Sequence, residues 1–121
     1  MTIGTFPILT ADGKIKYDRI DPTLLESLRP LPLQHDRYFV IGTATICVSV
    51  SKLVLGHARP EGIANANILM REAAAGQRSR RVPIRVRELG DGRWYVVDGN
   101  STAMNALFSG WPNIPADIDH F

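Results

Sequence analysis

One cysteine, no long apolar run and few aromatic residues set the first limits on this chain of 121 residues. Because Cys47 is the single cysteine, an internal disulfide and a multi-cysteine zinc site are both excluded. Cys47 falls inside an apparent strand, which predicts a buried structural thiol. The longest apolar runs are far below membrane-spanning length, so no membrane partner is expected. The opening MTIGTFPILTADGKIKYD has no basic head and no apolar signal core, and the expected location is the cytoplasm. No repeat is present, and no metal ligands are assigned.

What is present is an ordinary globular composition with an uneven charge. Hydrophobic residues make up 45% and charged residues 21%, enough for one domain with a modest core. The net charge is only +2. Residues 71–93, however, carry seven arginines against Glu72, Glu88 and Asp91, while the rest of the chain is acidic. Arg78, Arg80, Arg81, Arg85 and Arg87 are therefore candidate contacts to nucleic-acid phosphates. A solvated edge strand guarded by arginines fits the same pattern. No aromatics interleave with RSRRVPIRVR, so a base-stacking platform is not signalled there.

Two regions follow from the pattern. Residues 1–43 hold four of the eight prolines and read as an extended N-terminal arm with one short helix. In that helix Asp21 is the cap, Pro22 lies in the first turn and Pro30 follows the end. The arm either lies on the domain or serves as an oligomer contact, and a homodimer is among the expectations. Residues 44–121 read as the domain itself. TICVSV alternates as a strand with one buried face. IANANILMREAAAG sets Ile63, Ala66, Leu69, Met70 and Ala73 on one helical stripe ending near Gly76. VPIRVRE, with Val82, Ile84 and Val86 inward, is a second strand. LGDGRW is a turn, and WYVVDG is a central strand. Residues 101–110 form a helix, and IPADI is a last strand. The expected fold class is α+β, a small mixed sheet packed with helices. Strand 93–97 is predicted in its interior, antiparallel to 82–88 and parallel to 114–118. Trp94, Tyr95, Phe108 and Trp111 read as core or rim packing.

The chemistry concentrates at VVDGNST, where a strand runs straight into a helix. A helix start offers backbone N–H groups without internal partners and the positive end of a dipole, both of which suit a phosphate. Gly99 permits close approach and a positive φ. Asn100 or Ser101 can cap the helix, and the Ser101 and Thr102 hydroxyls can donate to phosphate oxygens. Asp98 can orient a hydroxyl, bind magnesium or act as a base. A turn closed by an ordinary cap gives the same residues, so both readings stand at this point.

The run RRVPIRVRELGDGRWYVVDGNSTAMNALFSGWPNIPADI resembles the core of the ParB/sulfiredoxin superfamily, with the likeness extending over about 45–118. That superfamily shows a Pro-Ile strand, a hairpin strand entering DGNHR or GERR, an alanine-rich helix and then IPA. The combination ARPEGIANA, RRVPI and DGNST is similar to a bacterial subfamily of small proteins and modules, some fused to toxin-type or mobile-element proteins. The resemblance implies a phosphate-bearing ligand at the turn: ATP or another nucleotide with Mg2+, or nucleic acid. Gly99, Asn100, Ser101 and Thr102 would line it. Ser101 and Thr102 stand where the superfamily has His-Arg or Arg-Arg. Asn100 stands where sulfiredoxins carry their reactive cysteine, which excludes sulfinic-acid reduction. Arg59, in the loop HARPEGIANAN, can replace the missing cation. Glu61 can serve as a general base beside Asp98, as a carboxylate does in the superfamily's amino-acid kinases. Asn65 and Asn67 are poor helix residues and so candidates for contacts. His57 reads as a loop histidine. Two function classes result. One is a nucleotide- or nucleic-acid-binding domain with nuclease or phosphotransfer chemistry. The other is an inert interaction module with a protein partner.

Overall fold

Alternation of apolar side chains builds a five-stranded sheet with one face turned to the core. The computed structural model describes residues 5–19 and 21–119. The sheet comprises β3 (Ile46–Ser49), β4 (Leu53–Val54), β5 (Ile84–Glu88), β6 (Trp94–Asp98) and β7 (Asn113–Ile118) in the order β3-β7-β5-β6-β4. Val48, Ile84, Val86, Val96, Ile114 and Ala116 are buried side by side. Each of the larger ones contributes about 1.5–3 kcal/mol relative to exposure.

As expected, β6 lies inside the sheet and is antiparallel to β5. Its other neighbour is β4, in parallel. Residues 114–118, expected beside 93–97, lie instead between β5 (parallel) and β3 (antiparallel). The helix after β6 therefore crosses past β5 and does not close a parallel pair. The apolar spacing of β7 is the same in either position, so patterning alone did not choose between them.

Three other expectations are corrected. The strand TICVSV stops at Ser49 and turns through a single 3-10 turn, Val50–Lys52, before β4. Cys47 is exposed, because it alternates with buried Val48 and points away from the core on an edge strand. Val82 is 75% exposed, since β5 begins only after Pro83, which has no N–H to give a ladder.

Where an extended arm with one short helix was expected, residues 5–19 and 21–38 carry two strands and two helices. Strands β1 (Thr5–Leu9) and β2 (Ile15–Arg19) form an antiparallel hairpin. It joins the β4 end of the sheet through Leu9 N–H to Leu55 O and Leu55 N–H to Pro7 O, both 2.9 Å. Helices α1 (Pro22–Ser27) and α2 (His35–Tyr38) follow. Leu24, Leu28, Leu31, Tyr38 and Phe39 belong to the same hydrophobic cluster as the sheet. Trp111 joins them: its ring lies 5.3 Å from Tyr38 and its Nε1–H donates to Leu31 O at 2.8 Å.

Helix α3 (Pro60–Ala74) starts with proline in its first turn. It ends in a paired closure, with Gly76 N–H on Ala73 O and Gln77 N–H on Glu72 O. Its stripe of Ile63, Ala66, Met70 and Ala73 is buried. Helix α4 (Asn100–Phe108) packs against it and buries Ala103, Met104 and Ala106. No helix among the described residues is long and apolar enough to cross a membrane.

Candidate functional site

The strand-to-helix turn is built by Gly99, which is the N-cap of α4 at φ 91° and ψ 26°. A Cβ there would stand 2.8 Å from Cγ2 of Ile84 and 3.2 Å from its Cα. The turn is thus pressed onto the first residue of β5, and only glycine combines the positive φ with that approach. No side chain caps α4. The helix start keeps the unshared amide donors and positive dipole end from which an anion site is made.

Each polar residue of DGNST has a distinct place. Asp98 is exposed and its Oδ1 accepts from Gly99 N–H at 3.0 Å. Asn100 does not cap the helix. Its Oδ1 accepts Gly56 N–H at 2.7 Å and its Nδ2 donates to Val96 O at 3.2 Å. It therefore ties the segment before α3 to the end of β6. Ser101 is half-buried, and its Oγ faces Gly62 so closely that a Cβ on that glycine would lie 3.1 Å away. Thr102 is buried, at 3% exposure.

These residues line one open polar cleft together with His57 and Arg81. Arg81 was grouped in the sequence with the arginine stripe. In the structure its backbone bridges to Phe39, with Arg81 N–H on Tyr38 O at 2.7 Å and Val40 N–H on Arg81 O at 2.8 Å. That bridge carries the side chain to the mouth of the turn. Burial lowers its guanidinium from the ordinary arginine value, yet arginine remains charged. No ion pair to Arg81 occurs among the described residues. A guanidinium thus reaches the cleft from the bridge residue just before β5, and Arg59 does not line it.

The other candidates lie apart from this cleft. Arg59, Glu61 and Asn65 are exposed along the start of α3 and do not line it. Arg78 pairs with Glu72 at 3.0 Å, and Arg80 donates to Asp36 O at 3.0 Å. Arg85 and Arg87 both pair with Asp119, Arg87 at 3.0 Å. These two guanidiniums hold the Asp119 carboxyl below the usual carboxylate range, Arg87 most strongly through its hydrogen bond. Asn67, singled out in the sequence as a poor helix former kept for contacts, is 1% exposed and bonds to Asn105 across the α3–α4 contact at 2.8 Å. No group of three or more His, Cys, Asp or Glu among the described residues could hold a metal ion.

No family model matches the chain, and no curated protein matches it. Among solved structures it is similar to SbnI with C-terminal truncation from Staphylococcus aureus, at 23% identity and a TM-score of 0.52. The likeness covers 64% of this chain and 31% of that one. The fold is accordingly ParB-like, a mixed α+β sheet with packed helices.

Proposed function

We propose that the chain is a ParB-like domain that binds a phosphate of a nucleotide or nucleic acid at the 98–102 turn, and that it binds rather than catalyses. The observation that carries this reading is the convergence of an uncapped helix start, Arg81 and His57 on one open cleft. A helix N-terminus and one guanidinium supply donors and positive charge from two separate elements. Catalysis by Glu61 is not supported, because Glu61 lies outside the cleft. Among the described residues Asp98 is the one carboxylate lining it. A magnesium ion arriving with a nucleotide would have that group as its protein ligand and would otherwise rest on the phosphates.

The test is thermal stabilisation by pyrophosphate and by nucleotides, with and without magnesium, in the wild type and in Arg81→Ala. Loss of a charge-assisted phosphate contact should weaken binding about tenfold. If the wild type responds to no phosphate compound, or Arg81→Ala responds equally, the turn is only a structural junction.

A second reading, the interaction module, is favoured by one observation. Val40, Val82 and Ile118 are 50%, 75% and 38% exposed and line a separate shallow cleft beside the start of β5. Pull-down of a partner that Val82→Lys prevents, with no phosphate binding by the wild type, would decide for it.

A further inference from the structure

The two sides of the sheet end differently. On the β4 side Leu55 is bonded to β1, and the outer strand of that hairpin, β2, carries exposed Lys16, Asp18 and Arg19. Charges on an edge discourage further strand pairing. On the other side β3 has β7 as its one neighbour in the sheet among the described residues, and its sequence, Ile-Cys-Val-Ser, carries no charge. Its backbone is open as well. Pro115 stands opposite Cys47 and has no N–H, and Val50 N–H donates to Pro112 O at 3.0 Å. The ladder bonds to β7 therefore fall at Ile46, Val48 and Val50, and the N–H and C=O of Cys47 and Ser49 point to the open edge. Ile46, Cys47 and Ser49 are all exposed.

We propose that this edge pairs with the same edge of a second copy of the chain, antiparallel and about a two-fold axis at Val48. Cys47 then faces Ser49 of the second copy on either side of the axis, and the open N–H and C=O groups of both strands bond across it. Val48 meets its own counterpart, and the two five-stranded sheets become one. Continued outward, the register sets the exposed Ile46 against Val50 and Ser51 against Thr45 of the second copy. That brings Lys52 to the end of the second copy where Thr45 holds Asp117. The charges are complementary there. Lys52 is exposed, and Asp117 Oδ1 accepts from Thr45 Oγ1–H at 2.7 Å. Neither has an ion pair among the described residues. A second copy fits this edge because one strand has the cation just past its end and the acid beside its start. The antiparallel register brings each to the other, twice. Pairing uses up both open edges, so assembly stops at two chains. It does not depend on what binds at the 98–102 turn.

The experiment is sedimentation equilibrium of the full chain over a range of concentrations, which should show monomer and dimer and nothing larger. Ser49→Pro is the sharpest variant. Ser49 has φ −67°, which proline adopts, and its N–H points away from β7. The fold and the thermal melt at dilution should be kept while the dimer is lost. Lys52→Glu and Asp117→Lys should each weaken the dimer about tenfold, and the two combined should restore it. Cys47 is a native reporter of the register. Its two copies lie on a diagonal, roughly 7–8 Å apart, too far for a disulfide but within reach of a short bismaleimide. Cross-linking through Cys47 should appear with the dimer and vanish in Ser49→Pro. A chain that stays monomeric throughout, or one that assembles beyond two, would overturn the pairing. So would a dimer that Ser49→Pro leaves intact, that the combined charge exchange does not restore, or whose Cys47 thiols do not cross-link.

Discussion

Asn67 on α3 and Asn105 on α4 bond to each other in the interior, Nδ2 to Oδ1 at 2.8 Å, with 1% and 0% of their surfaces exposed. The pair is fully engaged on every side. Asn67 also donates to Arg29 O at 2.8 Å and accepts from Arg71 Nε–H at 3.2 Å. Asn105 donates to Ile63 O at 3.1 Å and Ser101 O at 2.9 Å. Two amides thereby fix the rotation of α4 relative to α3, and with it the direction in which the first turn of α4 faces.

Removing one partner should strand the other. Asn105→Ala leaves a buried Asn67 donor unmatched and takes a second donor from the helical carbonyls of Ile63 and Ser101, and should cost about 1–3 kcal/mol in urea unfolding. Asn67→Ala should cost a similar amount. The double variant should be less destabilised than the sum, because the second deletion removes the group that the first left unpaired. Additive costs would mean that the amides act independently.

Gly99→Ala should be among the most damaging single-methyl additions. The positive φ alone costs about 1–2 kcal/mol, and contact with Ile84 adds a further ~1–3 kcal/mol of crowding. Gly76→Ala separates the two causes. Gly76 has φ +77° with nothing within 4 Å of an added Cβ, so it should show only the smaller, conformational part. Thermal or urea unfolding of both variants checks the difference, and equal losses would remove the case for a turn pressed onto β5.

Acid should loosen the C-terminal end of the sheet. Arg87 and Arg85 hold Asp119 below its ordinary value, and Asp119 N–H donates to Val86 O at 2.8 Å. Since the folded pKa lies below the unfolded one, the pairing contributes stability above the ordinary carboxylate range near about 4. That contribution disappears as the pH falls through the lower folded value. Urea midpoints from about pH 6 down to about pH 2.5 should fall less in Asp119→Asn than in the wild type. Parallel curves would show that Asp119 does not couple folding to pH.

The arginines should divide by their partners. Arg78, Arg85 and Arg87 already face carboxylates, so Arg78→Ala and Arg85→Ala should leave stabilisation by pyrophosphate unchanged while Arg81→Ala reduces it. Should the stripe carry nucleic acid, electrophoretic shifts would weaken steeply between low and moderate salt. A shift of that kind abolished by Arg85→Ala and indifferent to Arg81→Ala would move the phosphate site from the turn to the sheet.

The turn itself was legible in the residues, because a glycine between a strand and an apolar-striped helix has few other uses. The α3 stripe, with Pro60 in the first turn and Gly76 past the end, was legible for the same local reasons. What escaped depended on partners distant in the chain. The hairpin at residues 5–19 has an Asp-Gly pair between two apolar stretches, a signal that outweighs the extended appearance of the segment. Arg81 could not be assigned to the cleft from spacing alone, since its position depends on a bridge to Phe39. Asn100 looked like a cap, and became a latch only once Gly56 was brought beside it.

The place of β7 has a consequence for how the sheet closes. Its residues 113–118 fill the gap between β3 and β5, so two of the sheet's four ladders depend on it. Without β7, β3 has no neighbour in this sheet, and one side of β5 is bare. Closure therefore joins segments distant in the chain, the slow kind of step associated with high contact order. Until it happens the open strand edges are of the kind that chaperones shield. The cleft at 98–102, pressed onto Ile84 of β5, should take its final shape only with that closure.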